Sequence, residues 1–144
     1  MCSLTDGGLT NVGRCATLPA RHHAGDDANI YLVEGDKTLL YAHDTGYFFE
    51  EVFAYIEEKG LRFDLVTLDC TNVEIPEPDT GGHMALDNIR RVVARLTQLG
   101  AVDDRTVKVV NHFSHNGRPL QEELEEKVED DGFLVAYDGR VVEF

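Results

Sequence analysis

The feature that most constrains this chain is its alternation of short apolar runs with segments of helical period. ANIYLVE (28–34), the turn Gly35-Asp36-Lys37 and TLLYA (38–42) are two β-branched or aromatic stretches joined by turn residues, the signature of a hairpin. YFFEEVFAYIEEKG (47–60) then places Phe49, Val52, Phe53 and Ile56 at helical spacing, with Glu50, Glu51, Glu57 and Glu58 opposite and Gly60 as a stop. FDLVTLD (63–69) is an almost unbroken apolar run of strand length, which suits a strand buried on both faces. After a loop with two prolines and a Gly pair (70–82), the segment 84–100 lines up Leu86, Ile89, Val93 and Leu96 opposite three arginines, as a helix would. TVKVVN (106–111) reads as a buried strand, HFSHNGRP (112–119) as a loop and LQEELEEKVED (120–130) as an acidic helix. GFLVAYD and RVVEF, around Asp138-Gly139, read as a closing hairpin. The expected order is β-β-α-β-α-β-α-β-β, a layered α/β domain. Residues 1–13 carry no periodic signal and are expected to be a weakly ordered lead-in or an edge element.

A length of 144 residues fits one domain spanning 1–144 with an ordinary hydrophobic core. Charge narrows the partners. With 13 Lys plus Arg against 27 Asp plus Glu, the net charge is −14, and no basic stripe exists to displace the counterions of nucleic acid. A substrate bearing phosphate therefore needs a bound cation. Cys2, Cys15 and Cys70 are far apart and form no CxxC pair, which reads as reduced thiols. The amino terminus lacks a basic and apolar leader, and no apolar run approaches the ~18 residues of a membrane span, so a soluble cytoplasmic protein is expected.

The positions of the polar residues carry the functional signal. Asp44 follows TLLYA, Asp69 ends FDLVTL, and His112 follows VKVV. Ligands of open α/β sheets bind outside the carboxyl ends of strands, so these three side chains can converge despite their separation in sequence. His22 and His23 precede the hairpin, and His83 opens a helix. Imidazole with carboxylate suits zinc, manganese or iron, and a divalent ion activates water toward phosphorus or carbonyl centres. His22, Asp44 and His112 fit that role. Asp69 orienting His83 would let the ring give a proton to a leaving oxygen. Taken singly, each residue has a bland alternative: Asp44 as a turn residue or helix N-cap, His112 as a loop histidine, Asp69 as a loop cap, His83 as an exposed helix start. HFSHN, with two imidazoles and a hydroxyl in one strand-to-helix loop, is the more specific signal.

ARH, YAHDTG and HFSHN, in that order, resemble the carboxyl-terminal half of the metallo-β-lactamase superfamily. LDCT (68–71) is similar to the His-Glu-Ala-Thr element of its ribonuclease Z branch, with Asp69 at the glutamate position, and GHM resembles that branch's partner histidine at His83. The nearest likeness is to hydrolases related to cyclic phosphodiesterases, over about Ala20 to Phe144. The resemblance implies half of an αββα sandwich, a mixed sheet with helices. It implies a divalent metal, zinc or manganese, held by His22, Asp44 and His112, with His23 the one-residue rival of His22. It makes His83, oriented by Asp69, the general acid, and puts His115 and Asn116 on the substrate phosphate.

The family's HxHxDH motif is absent from these residues. The expectation is therefore a truncated phosphodiesterase-type metallo-hydrolase, inactive alone or holding one cation weakly, that acts on a small phosphodiester. The alternative is a non-catalytic α/β module whose exposed seam face self-associates or pairs with a missing amino-terminal half.

Overall fold

The computed structural model describes residues 9–10, 13–115 and 119–144. Its strands are β1 (Leu9–Thr10), β2 (Gly13–Pro19), β3 (Asn29–Glu34), β4 (Thr38–Ala42), β5 (Leu65–Asp69), β6 (Val107–Asn111) and β7 (Phe133–Val135). Three helices, α1 (Glu50–Glu58), α2 (Leu86–Gln98) and α3 (Gln121–Val128), separate the last four strands. All seven strands form one mixed sheet in sequence order. β1 to β4 pair antiparallel as a meander, and β4 to β7 pair parallel.

That order decides the layering. A parallel crossover is right-handed almost without exception, so three consecutive crossovers in one direction stack all three helices on one face of the sheet. The core agrees: Val52, Phe53 and Ile56 of α1, Ile89, Val92 and Leu96 of α2, and Leu124 and Val128 of α3 pack with Leu40, Ala42, Val66, Leu68, Val110 and Val135 of the strands. The alternate strand residues face the other way. Thr17, Tyr31, Tyr41, Thr67, Val109 and Leu134 lie in register across six strands as one row on the opposite face. Cys15, Val33, Leu39, Leu65 and Val107 form the next row. Among the described residues no helix packs on these rows, and Tyr31 and Tyr41 are about two-fifths exposed (43% and 42%). β5, at the centre, is buried along its whole length, as its apolar run predicts.

Two sequence expectations are corrected. The region before Ala28 contains the seven-residue strand β2, paired along its length with β3; Leu9–Thr10, in the segment read as a lead-in or an edge element, forms the short edge strand β1. β2 is hard to read from sequence because Gly13, Arg14 and Thr17 dilute its apolar alternation. The closing hairpin is not formed: Phe133–Val135 pairs parallel to β6, and residues 136–144 contain no strand. A tight turn closed by Arg140 N–H on the Tyr137 carbonyl (3.0 Å) brings the Arg140 guanidinium back to the Val135 carbonyl (2.6 Å), so that a side chain takes the place of a partner strand there. No helix among the described residues is long and apolar enough to cross a membrane.

Candidate metal centre

β4, β5 and β6 are adjacent and parallel, so the residues at their carboxyl ends meet at one edge of the sheet. Asp44 and His112 leave their strands with φ of 56° and 63°. A side chain other than glycine in this left-handed region costs about 1–3 kcal/mol and persists only where its surroundings hold it, a kind of strain that concentrates at functional sites.

The holding groups are visible. The Thr45 N–H donates to Asp69 Oδ2 (3.2 Å), the Arg21 N–H donates to Thr45 Oγ1 (3.0 Å), and the Gly46 N–H donates to the Arg21 carbonyl (2.6 Å). Asn111 Oδ1 accepts the His112 N–H at 2.7 Å. Close backbone approach locks the loops further. A Cβ on Gly46 would sit 1.9 Å from the Gly81 carbonyl oxygen, and one on Gly82 would sit 2.8 Å from that of His22.

Asp69 is fully buried and ties these loops together. Its Oδ1 accepts the backbone N–H groups of Thr71 (3.0 Å) and Met84 (3.1 Å). Its Oδ2 faces His83 Nδ1 at 3.1 Å and His112 Nδ1 at 3.3 Å. The Met84 contact sets the position of His83, and Asn88 pins the segment that follows by accepting the Ala85 N–H at the start of α2 (2.9 Å). Thr71 Oγ1 lies between the two rings, 3.2 Å from His83 Nδ1 and 2.8 Å from His112 Nδ1.

Asp44 Oδ1 is the focus of the imidazoles. His22 Nε2 is 3.3 Å away, His83 Nδ1 3.7 Å and His112 Nε2 3.9 Å. One potential ligand atom from each of Asp44, Asp69, His83 and His112 falls within a 4.8 Å cluster. His22 also gives Nδ1 to Asp26 Oδ2 at 2.9 Å. With that nitrogen protonated, the lone pair of Nε2 faces a carboxylate oxygen, an apposition that a cation relieves. His22 and His112 each aim Nε2 at this carboxylate with Nδ1 held by an acceptor, the arrangement that metal-ligating histidines adopt, whereas His83 faces both Asp44 and Asp69 with the one nitrogen, Nδ1. The donor set fits a divalent metal ion.

Of the residues singled out from sequence, His22, Asp44, Asp69, His83 and His112 come together. His22, not His23, reaches Asp44; the His23 ring lies tilted against that of His22, centroids 4.0 Å apart. His115 is exposed and outside the cluster. Asn116 lies outside the described residues.

Three contributors escaped the sequence reading. Asp26, four residues after His22, has its carboxyl held below the usual range by the hydrogen bond from that ring. Thr71 contacts both His83 and His112. His43 donates to or accepts from Thr67 Oγ1 at 2.7 Å, and burial pulls its pKa down to about 4, so it is neutral at physiological pH. The pairs HxxxD and LDCT were the only signals for the first two. Cys70 is excluded as a nucleophile at neutral pH, since burial pushes its thiol up to about 12.

No protein-family model matches the sequence, and no curated protein does. Solved structures do match. The metallo-beta-lactamase fold protein YhfI from Bacillus subtilis aligns over 93% of this chain and 51% of its own, with a TM-score of 0.64 at 14% identity. The chain has a metallo-β-lactamase fold. A possible metal-dependent hydrolase from Veillonella parvula DSM 2008 shows the same fold over 95% of this chain and 56% of its own, with a TM-score of 0.66 at 12% identity. The chain thus spans about half the length of these two structures. Among the described residues of this chain, the mixed sheet and one helix layer are the scaffold, and the carboxyl-end edge of β4 to β6 carries the histidine and aspartate cluster.

Proposed function

We propose that this chain is a metal-dependent hydrolase of phosphodiesterase type, acting on a small phosphodiester. The observation that carries the reading is the convergence of His22 Nε2 and His112 Nε2 on Asp44 Oδ1, at 3.3 and 3.9 Å, with the second nitrogen of each ring already held. His22, Asp44 and His112 would hold the ion, zinc or manganese. A bound divalent ion supplies Lewis acidity and positive charge toward a phosphoryl oxygen, which a chain of net charge −14 otherwise lacks. The chain's own groups do the rest. His83 gives its Nδ1 hydrogen to Asp69, which fixes the ring and leaves Nε2 as the atom that would take a proton from the attacking water and pass it to the leaving oxygen. His115 and its sequence neighbour Asn116 are the proposed contacts to the substrate phosphate. The test is metal content of the purified protein together with hydrolysis of a chromogenic phosphodiester in zinc or manganese. Activity and bound metal should both fall in His112→Ala, and equal values in that variant would remove the assignment.

The sheet face on which no helix packs among the described residues favours a second reading, a non-catalytic module that pairs the exposed Tyr31, Tyr41 and Leu134 of this face with a second copy of the chain. Its two rows from Thr17 to Leu134 and from Cys15 to Val107 contain no charged side chain on a strongly acidic protein, so two copies can meet there without apposed like charges. Sedimentation at micromolar concentration decides: a dimer lost in Tyr41→Glu supports it, whereas a monomer, or a requirement for a different chain, rejects it.

A further inference from the structure

Thr71 has one hydroxyl hydrogen and three neighbours. The hydroxyl donates to the His112 carbonyl at 2.9 Å, and with its hydrogen committed there the oxygen can only accept from the two rings beside it. His112 Nδ1 at 2.8 Å and His83 Nδ1 at 3.2 Å must then both carry hydrogen. Asp69 Oδ2, the other neighbour of both nitrogens, is an acceptor too and asks for the same state, at 3.1 Å from His83 and 3.3 Å from His112. A neutral imidazole protonated at Nδ1 is bare at Nε2. The same hydroxyl bonds to the backbone of a residue whose φ of 63° needs support.

We propose that Thr71 is a positioning residue that selects the Nδ1–H tautomer of both His83 and His112, so that Nε2 of each neutral ring carries no hydrogen and that of His112 faces Asp44 Oδ1 bare, and that braces the strained backbone of His112. This rests on the metal-site reading only for its consequence, which is tighter ion binding through His112 Nε2. The tautomer selection itself is a property of the metal-free chain. Partners of this kind behind a ligating histidine typically contribute about 10–100-fold in metal affinity.

Two measurements on the full chain test it, using wild type, Thr71→Val and Thr71→Ser, with circular dichroism confirming the fold. Long-range proton–nitrogen spectra of the imidazoles in the metal-free protein at alkaline pH report the tautomers. Wild type and Thr71→Ser should show Nδ1–H at both rings, whereas Thr71→Val should move His112 toward the Nε2–H form. Calorimetric titration with zinc should show affinity reduced about 10–100-fold in Thr71→Val and restored in Thr71→Ser. Should Thr71→Val fail to fold, Thr71→Ala removes the same hydroxyl and reads the same loss. Unchanged tautomers in the variant lacking the hydroxyl overturn the proposal. A wild type that binds no zinc but loses its tautomers in Thr71→Val overturns the metal reading while upholding the role of Thr71.

Discussion

His22 Nε2 lies 3.3 Å from Asp44 Oδ1, where the loop after β2 and the loop after β4 leave the same edge of the sheet on either side of β3. The contact depends on the ring being held from behind, where Asp26 takes the other nitrogen at 2.9 Å. Asp26→Ala should leave the fold intact, since this carboxylate is exposed, yet weaken zinc or manganese binding about tenfold. Calorimetry on wild type and variant checks it. Unchanged affinity would show that the ring needs no such support.

Asp69 should matter to folding as much as to chemistry. Its carboxylate accepts the N–H groups of Thr45, Thr71 and Met84 in a fully buried position. Each buried donor left without a partner costs about 1–3 kcal/mol, so Asp69→Ala is expected to lose at least about 3 kcal/mol of stability. Urea denaturation measures it, and Asp69→Asn, which keeps an acceptor oxygen, should fall between the two.

Gly46→Ala is expected to be as harmful as a cavity mutation although it adds only a methyl group. The added carbon would meet the Gly81 carbonyl oxygen at 1.9 Å, backbone against backbone, with no flexible side chain to yield. Relief requires the Asp44 loop to move away from His83, so thermal stability and metal affinity should fall together. The overpacking cost is of order 1–3 kcal/mol. A variant that melts like wild type would show that the two loops can separate freely.

Cys70 gives the chain a pH dependence at the alkaline end. The folded thiol ionises only near pH 12, whereas the unfolded one ionises near its ordinary value of 9.0. Above pH 9 the unfolded state therefore binds fewer protons than the folded state, and stability falls as pH rises between those two values. Cys70→Ala should flatten that slope in urea titrations at pH 8 to 11. In the native protein at pH 8, iodoacetamide should leave Cys70 unmodified while labelling it on unfolding, as peptide mapping would show.

Much of the site was legible because strand ends are legible. An apolar run followed at once by Asp44, Asp69 or His112 announces both a buried strand and a polar group at its carboxyl end, and the parallel order of β4, β5 and β6 does the rest. His22 and His23 were not separable by the same logic. One residue turns a side chain to the other side of the chain, and the choice is made by the Arg21–Thr45 and Gly82–His22 contacts, which join segments 24 and 60 positions apart. Asp26 and Thr71 gave little signal because an exposed aspartate and a loop threonine look alike whether or not a ring leans on them.

The sequence by itself determined the α/β class, the three helices, the central buried strand and the residues able to hold a cation, since these follow from local periodicity and side-chain chemistry. Tertiary structure alone decided where the chain's first long strand pairs, why Phe133–Val135 joins β6 in parallel instead of folding back on its own tail, and which face of the sheet the three helices cover. It also decided which nitrogen of each histidine faces Asp44. The physical reason is common to all of these: each depends on hydrogen bonds and close contacts between residues far apart in sequence, and such pairings leave no trace in the pattern of either segment alone.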